Sequence, residues 1–172
     1  MHHALPRLLV VALVATALPL VTLAQKADTQ GGTPTDAGFV ANASGASVAE
    51  VKLSELAVTN ASSTKVKTFA QHMITDHTKA GDELKSIASG TRGYSIADAP
   101  PPAAQKDLDA LSRLKGADFD KEYAKVMVSD HEKAVTIFEV EAEKGSNKEL
   151  QSFAKKTLPT LKDHLKQAKA LP

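Results

Sequence analysis

The chain has 172 residues, a formal net charge of +1 and no cysteine. This length is typical of one domain, and the near-neutral charge gives no field that would attract nucleic acid, so we expect no nucleic-acid partner. Without cysteine, a disulfide framework, a thiolate metal site and a lipidated cysteine anchor are excluded. Ala, Lys, Glu and Leu are plentiful, which favours an all-α protein.

Residues 1–24 have the pattern of a secretory signal peptide. A basic start at Arg7 precedes an apolar run over residues 8–23, and Ala24 supplies the small residue before the cleavage position. The run is short for a membrane span, which favours cleavage over a retained anchor. We therefore expect a periplasmic or secreted protein with no stable membrane span after cleavage, and a flexible polar leader over residues 25–35.

Four long segments carry apolar residues at helical spacing. The predicted helices cover residues 36–60, 63–89, 118–145 and 146–170, with a short extra helix over residues 105–114. Residues 90–104 form a long connection rich in Gly and Pro. A short link, a long crossover and a second short link predict a ferritin-like four-helix bundle over residues 36–171. The second and third long helices should then run parallel to each other.

Three local features refine these helices. Ser146 with Glu149 has the spacing of a capping box, which predicts that Ser146 caps the last helix. Pro159 removes a backbone hydrogen bond inside that helix and should kink it. The inward face of the first helix is ambiguous, because one apolar stripe passes through Glu50 and a rival stripe passes through Val40.

A phrase of twelve residues occurs twice, at residues 69–80 and 123–134. Both copies place an aromatic residue, Ala, Met, a β-branched residue, a hydroxyl residue, Asp, His, Lys and Ala at matching positions. The Asp-His pairs end at His77 and His131, and a third such pair ends at His164. We interpret the two phrases as an internal repeat whose copies lie at equivalent heights in the bundle.

One polar residue lies near the middle of each long helix. These residues are Glu50, His77, His131 and His164. Mid-helix positions meet at one level in an antiparallel bundle, so we expect a buried polar layer. An unpaired buried polar group costs roughly 1–3 kcal/mol. The layer therefore requires mutual hydrogen bonds, a bound ion or a ligand.

Metal binding is one interpretation of this layer. Met73 and Met127 each precede a layer histidine by four residues and share its helix face. Thioether and imidazole ligands suit copper, whereas Glu50 and the histidines without methionine suit zinc or iron. Neighbouring helical residues point about 100° apart, so Asp76 and Asp130 are predicted to flank the layer and orient imidazoles. The alternative interpretation is a closed hydrogen-bond network, with the methionines as core filler.

Several motifs occur in the order found in one known family. They are Phe-Ala…Met-Ile-x-Asp-His-Thr-Lys-Ala within residues 69–80, Phe-Asp…Tyr and Met-Val-x-Asp-His within residues 119–131, and Leu-Pro…His-Leu within residues 158–165. Over residues 37–171 the chain resembles the bacterial DUF4142 family, exported proteins of unknown function with a ferritin-like bundle. The resemblance implies the fold and export, and it implies no activity.

Signatures of catalysis are missing from the sequence. It contains no Gly-x-Ser-x-Gly and no phosphate-binding loop. It also lacks Glu-x-x-His, which carboxylate-bridged di-iron bundles carry on two helices, so ferritin-type iron oxidation is disfavoured. A non-enzymatic role is therefore favoured over a metal-dependent redox enzyme.

The sequence thus predicts an exported bundle of unknown biochemical activity whose polar layer binds a transition-metal ion. Copper, zinc and iron are the candidate ions, and metal handling or envelope stress is the expected setting. The alternative is a metal-free structural or protein-interaction module of the cell envelope. The pattern defines no protein partner, and we expect a monomer or a homodimer.

Overall fold

The computed structural model describes residues 35–172, so the predicted signal peptide and nearly all of the predicted leader lie outside the described residues. The helices are α1 (Asp36–Asn60), α2 (Thr64–Ala88), α3 (Pro102–Leu111), α4 (Gly116–Lys144) and α5 (Lys148–Ala168). Within this range the chain forms no strand beyond an isolated bridge between Ala61 and Gly116. No helix in residues 35–172 combines the length and apolar character needed to cross a membrane. The predicted all-α class is confirmed.

Helices α1, α2, α4 and α5 form the bundle, and contacts at its two ends fix their directions. Where α1 ends and α4 begins, the Ser62 N–H donates to Asp120 Oδ1 over 3.1 Å. Where α1 begins and α4 ends, the Ser146 N–H donates to Asp36 Oδ1 over 2.8 Å. α1 therefore runs antiparallel to α4. A short link makes α2 antiparallel to α1 as well, so α2 and α4 run parallel, as predicted.

The long connection between α2 and α4 packs along α1. The Ala97 N–H donates to Ser44 Oγ over 2.9 Å. A Cβ built on Gly45 would lie 3.6 Å from Ala97 and 3.6 Å from Pro101, so the connection lies directly against α1 at this position. The crossover of the ferritin-like arrangement is therefore confirmed. Its short helix begins at Pro102, earlier than predicted, because proline is well suited to the first turn of a helix.

The core consists of two hydrophobic clusters. The Tyr123 cluster includes Leu53, Phe69, Met73, Tyr123 and Met127. The Phe39 cluster includes Phe39, Leu84, Phe138, Leu150 and Phe153. On each of the four bundle helices, the predicted polar residue falls between the residues that enter one cluster and those that enter the other. The polar layer therefore divides the core into two halves.

The start of α5 differs from the prediction by one residue. Asn147 is the N-cap, and its Oδ1 accepts from the N–H groups of Glu149 and Leu150 over 2.8 and 3.1 Å. The predicted capping box with Ser146 is wrong, because asparagine and serine cap equally well and the Ser146 N–H is bonded to Asp36. Downstream, α5 continues through Pro159 without a break.

Candidate metal centre

Three histidines from three helices meet in the middle of the bundle. His77 of α2, His131 of α4 and His164 of α5 each offer a ring nitrogen, and these nitrogens lie within 4.8 Å of one another. The ring centroids are separated by 5.6, 5.5 and 5.4 Å. Their exposed fractions are 9%, 0% and 3%, respectively. The structure therefore brings together the three histidines that the Asp-His pairs singled out.

Hydrogen bonds decide which nitrogen of two rings can act as a ligand. His131 Nδ1 lies 2.9 Å from the Met127 carbonyl oxygen, which can only accept, so Nδ1 donates and Nε2 keeps a lone pair. His164 Nε2 lies 3.0 Å from Asp76 Oδ2. Because the carboxylate accepts this bond, Nδ1 of the neutral ring keeps the lone pair. In two of the three rings, one nitrogen forms the hydrogen bond that orients the ring, and the other nitrogen remains free to contact a metal ion.

Each of the three histidines has one ring nitrogen without a hydrogen-bond partner in the described part of the chain. His77 Nε2, His131 Nε2 and His164 Nδ1 are fully buried and have no hydrogen-bond partner among residues 35–172. Buried polar atoms in folded proteins nearly always have a partner. Three unpartnered imidazole nitrogens in one layer are therefore an unusual feature of this core.

Glu50 of α1 completes the layer. Its side chain is buried, its Oε1 lies 3.8 Å from His131 Nδ1, and its Oε2 has no partner within the described part of the chain. Burial raises the pKa of Glu50 well above its usual value, the Asp130 carboxylate adds to the increase, and the Lys133 ammonium opposes it. The buried Glu50 carboxyl therefore favours its protonated form more than an exposed glutamate does.

The same burial keeps two of the imidazoles uncharged. It lowers the pKa of His77 well below its usual value, and the neighbouring rings of His131 and His164 lower it further. Burial lowers the pKa of His131 to about 4, against a smaller opposite effect of the bond to the Met127 carbonyl. A neutral imidazole is the form that binds a metal ion. His77 and His131 are therefore in the ligand form at neutral pH.

A cavity of about 50 Å³ adjoins the layer. Glu50, His77, His164, Asp76 and Asp130 contribute to its lining. A cavity needs only roughly 10–15 Å³ to hold a water molecule, so this space is sufficient for an ion with a bound water. It is far below the roughly 300–1,000 Å³ of pockets that bind organic ligands.

The two aspartates of the repeat differ in their contacts. Asp76 bonds His164 across the α2–α5 interface, while its side chain keeps 42% of its exposure to solvent. Asp130 Oδ1 instead forms an ion pair with Lys133 Nζ at 2.9 Å. Within residues 35–172 it makes no hydrogen bond to an imidazole. The structure thus places the flanking role at Asp76, whereas Asp130 acts on the layer only through its charge.

The methionines of the repeat belong to the hydrophobic core next to the layer. Met73 and Met127 are both fully buried in the Tyr123 cluster, and neither they nor His131 contribute to the lining of the cavity. The Met127 carbonyl oxygen accepts a hydrogen bond from His131 Nδ1. The structure thus groups three imidazoles with the Glu50 carboxyl 3.8 Å from His131 Nδ1, and metal binding by the two sulfur atoms stays a prediction.

Two supporting contacts were not anticipated from the sequence. Ser47 Oγ donates to the His77 carbonyl over 2.8 Å, which holds α1 against α2 at the level of the layer. Ser54 Oγ and Tyr123 Oη form a buried hydrogen bond of 2.8 Å in the adjacent cluster. Small hydroxyl residues on the inward side of α1 are the only sequence signal for either contact, and they are too common to identify a partner.

Comparisons with known proteins agree with this architecture. Residues 21–171 match DUF4142, a domain of unknown function, and the chain belongs to that family. Two solved structures share the fold at a TM-score of 0.67, each covering 79% of this chain and 94% of the other. They are CopM in the Cu(I)-bound form, 21% identical, and CopM in the Cu(II)-bound form, 19% identical. Comparison with curated proteins gives no match.

Proposed function

We propose that this DUF4142 protein binds one transition-metal ion, with copper as the first candidate, through His77, His131 and His164 beside Glu50. The observation that carries the proposal is the group of three buried histidines, each with a ring nitrogen within 4.8 Å of the others and each with a buried nitrogen that has no hydrogen-bond partner among residues 35–172. Each unsatisfied buried polar atom costs about 1–3 kcal/mol. A single cation would satisfy all three at once.

The residues fit a metal ion in chemistry as well as in number. Imidazole nitrogens bind copper, zinc, iron and nickel. The bonds from His131 to a backbone carbonyl and from His164 to Asp76 are the kind of outer contacts that orient metal-binding histidines. Glu50 provides a buried carboxyl group whose charged form a nearby cation would favour. A bound ion would supply the positive charge that this layer lacks.

Copper is tested first for two reasons. For a given set of nitrogen and oxygen ligands, divalent copper binds more tightly than zinc or iron. CopM, which shares the fold, is a copper-bound protein in both solved structures. The group contains imidazoles, one carboxyl and no thiolate, and zinc and iron also bind imidazole and carboxyl groups. Zinc and iron are therefore the rival ions.

Binding or carriage of the ion is favoured over catalysis. The ligand group is buried, and the adjoining cavity of about 50 Å³ has no room for an organic substrate. Together with the predicted export, this supports a role in holding or delivering metal outside the cytoplasm. The competing function is a metal-free structural or protein-interaction module whose polar layer forms a closed hydrogen-bond network. The unpartnered nitrogens argue against such a network.

The test uses the secreted form, residues 25–172, purified without a histidine tag. Copper, zinc and iron are added separately, and bound metal and melting temperature are measured. We expect one ion per chain and a higher melting temperature, both lost in His77→Ala and His131→Ala. His72→Ala is the matched control, because His72 is exposed on the same helix as His77 and lies outside the layer. Wild-type protein that retains none of the three metals would contradict the proposal.

A further inference from the structure

A groove on the protein surface shares a wall with the cavity beside the histidines. This groove, here called the α1–α2 groove, has a volume of about 370 Å³ and is covered at one end by residues of the crossover. Residues that line it include Val48, Val51, Thr78, Ile96 and Ala97. Ser47, His77 and Gly81 line both the groove and the cavity, so they form the wall between the two.

His77 is the ligand that an incoming ion would meet first. It is the one layer histidine that lines the groove, and at 9% it is more exposed than His131 at 0% or His164 at 3%. Its ring therefore stands between solvent and the two more deeply buried ligands.

Gly81 forms part of the wall and has no side chain to fill it. This residue lies one helical turn beyond His77 and faces Ser47 of α1. A Cβ at Gly81 would lie 3.5 Å from Ser47 Oγ and 3.8 Å from Ser47 Cβ, which is ordinary contact. Any larger side chain would occupy the space between the two helices. The hydroxyl of Ser47 is held against α2 by its bond to the His77 carbonyl.

Charges at the groove favour a cation. Glu55, Asp82 and Asp98 contribute three carboxylates, against the two ammonium groups of Lys52 and Lys85. None of the three carboxylates forms an ion pair with another residue of the described range 35–172. The lining therefore carries one more negative than positive charge, and an excess of negative charge raises the local concentration of cations.

The opposite face of the layer is less suited to this role. A surface pocket between α2 and α5 also adjoins the cavity, and it is lined by Asp76, Lys79, Glu83 and Lys156. Its carboxylates are engaged, because Glu83 pairs with Lys156 Nζ at 2.8 Å and Asp76 bonds His164. The charges of its two carboxylates and two lysines cancel, and no histidine of the layer lines the pocket.

Resting on the proposed function, we infer that the metal ion reaches its site through the α1–α2 groove, passing between Ser47 and Gly81 and contacting His77 first. The groove is then the access route of the site, and the crossover forms its rim.

The test measures rates of metal transfer in Gly81→Ala and Gly81→Val of the secreted chain. Copper is supplied by a chromophoric chelator and then withdrawn by a stronger one, and both rates are followed by stopped flow. We expect uptake and release to slow together, about threefold in the alanine variant and about tenfold or more in the valine variant. Stoichiometry and Kd stay unchanged, because the substitution raises a barrier and leaves the ligands in place.

Ala80→Val is the matched control. Ala80 neighbours Gly81 on α2 and lines the same cavity, but it faces the α2–α5 pocket rather than the groove. We expect its transfer rates to match those of the wild type. Slow transfer in Ala80→Val with normal rates in Gly81→Val would overturn the inference and place the route on the opposite face.

The outcomes separate the route from the site. Wild-type rates in Gly81→Val with copper still bound would overturn the route and leave the proposed function standing. Wild-type protein that binds no metal would overturn the proposed function itself. If Gly81→Val does not fold, Gly81→Ala decides, because its Cβ makes only ordinary contacts: slower transfer supports the route, and unchanged rates overturn it.

Discussion

Two of the buried polar groups on helix α4, Asp120 and His131, differ in how many hydrogen-bond partners they have. Asp120, at the start of the helix, accepts hydrogen bonds from the Ser62 N–H and hydroxyl and from the Ser63 N–H. His131, near the middle, has one nitrogen bonded to a carbonyl and the other without a partner. Burial is similar, at 4% and 0% exposure. A complete set of partners indicates a structural joint, whereas convergent unpartnered atoms indicate a place for a ligand.

The largest effect on stability is expected at the joint. Asp120→Ala removes the acceptor of three hydrogen bonds that hold the α1–α2 link to α4. At roughly 1–3 kcal/mol for each donor left unsatisfied, less what water recovers, unfolding should become easier by about 3–5 kcal/mol. Urea denaturation measures this loss. Protein that remains folded should still bind one metal ion, and selective loss of metal at unchanged stability would reverse the comparison.

A third buried group, Glu141, links stability to pH. Burial raises its pKa to about 7, and the nearby Asp36 carboxylate adds to the increase. Because the folded-state pKa exceeds the unfolded value of 4.5, the stabilising contribution is complete below that value and is lost as pH rises through about 7. Glu141→Gln keeps a neutral side chain. We expect it to remove a decline of roughly 2–3 kcal/mol in unfolding free energy between about pH 5 and pH 8.

Glu143→Gln is the control for that experiment, since Glu143 lies on the same helix but is exposed. Denaturation curves at several pH values compare the two variants with the wild type. Equal pH dependence in the wild type and Glu141→Gln would show that Glu141 is not the titrating group.

A smaller effect is expected where Asp76 supports the layer. Asp76→Asn can present the wrong polar atom to His164 Nε2 and removes the negative charge that orients the ring. Loss of such a contact typically costs 10–100-fold in metal affinity. We expect a decrease of about tenfold in copper affinity, with one ion still bound at saturation. Competition titration with a chelator measures the affinity. Asp130 makes no bond to a histidine in the described residues, so Asp130→Asn should change the affinity less.

The smallest change in stability is expected at His77. His77→Leu replaces a buried ring that has an unpartnered nitrogen with an apolar side chain. Because a buried polar atom without a partner is removed, the metal-free protein should be unchanged or more stable by up to about 1 kcal/mol. Metal binding should be lost at the same time. A clear loss of metal-free stability would mean that His77 belongs to a satisfied network, like Asp120.

The sequence was sufficient to predict that the histidines meet. The repeat, the helical stripes and the order of short and long links predict that His77, His131 and His164 lie at one level of the bundle. The inward faces of α2 and α4 are the easiest to assign from the sequence, because both helices carry the twelve-residue phrase. The four-residue spacing also brings His131 into contact with Met127, because His131 Nδ1 donates a hydrogen bond to the Met127 carbonyl oxygen.

The remaining features depend on contacts between distant parts of the chain. The wall formed by Ser47 and Gly81 requires the distance between α1 and α2, which no local pattern encodes. The choice of Asn147 over Ser146 as a cap depends on Asp36, which lies at the start of α1. The ring nitrogen that faces the centre likewise depends on partners such as Asp76, whose reach across to α5 is a tertiary contact.

The central claim is that three imidazoles hold the ion, and X-ray absorption of the copper-loaded chain of residues 25–172 tests it most directly. We expect nitrogen and oxygen neighbours only, with the scattering pattern of three imidazole rings, and loss of that pattern in His131→Ala. Sulfur neighbours from Met73 or Met127, or copper held by fewer than three imidazoles, would contradict the claim.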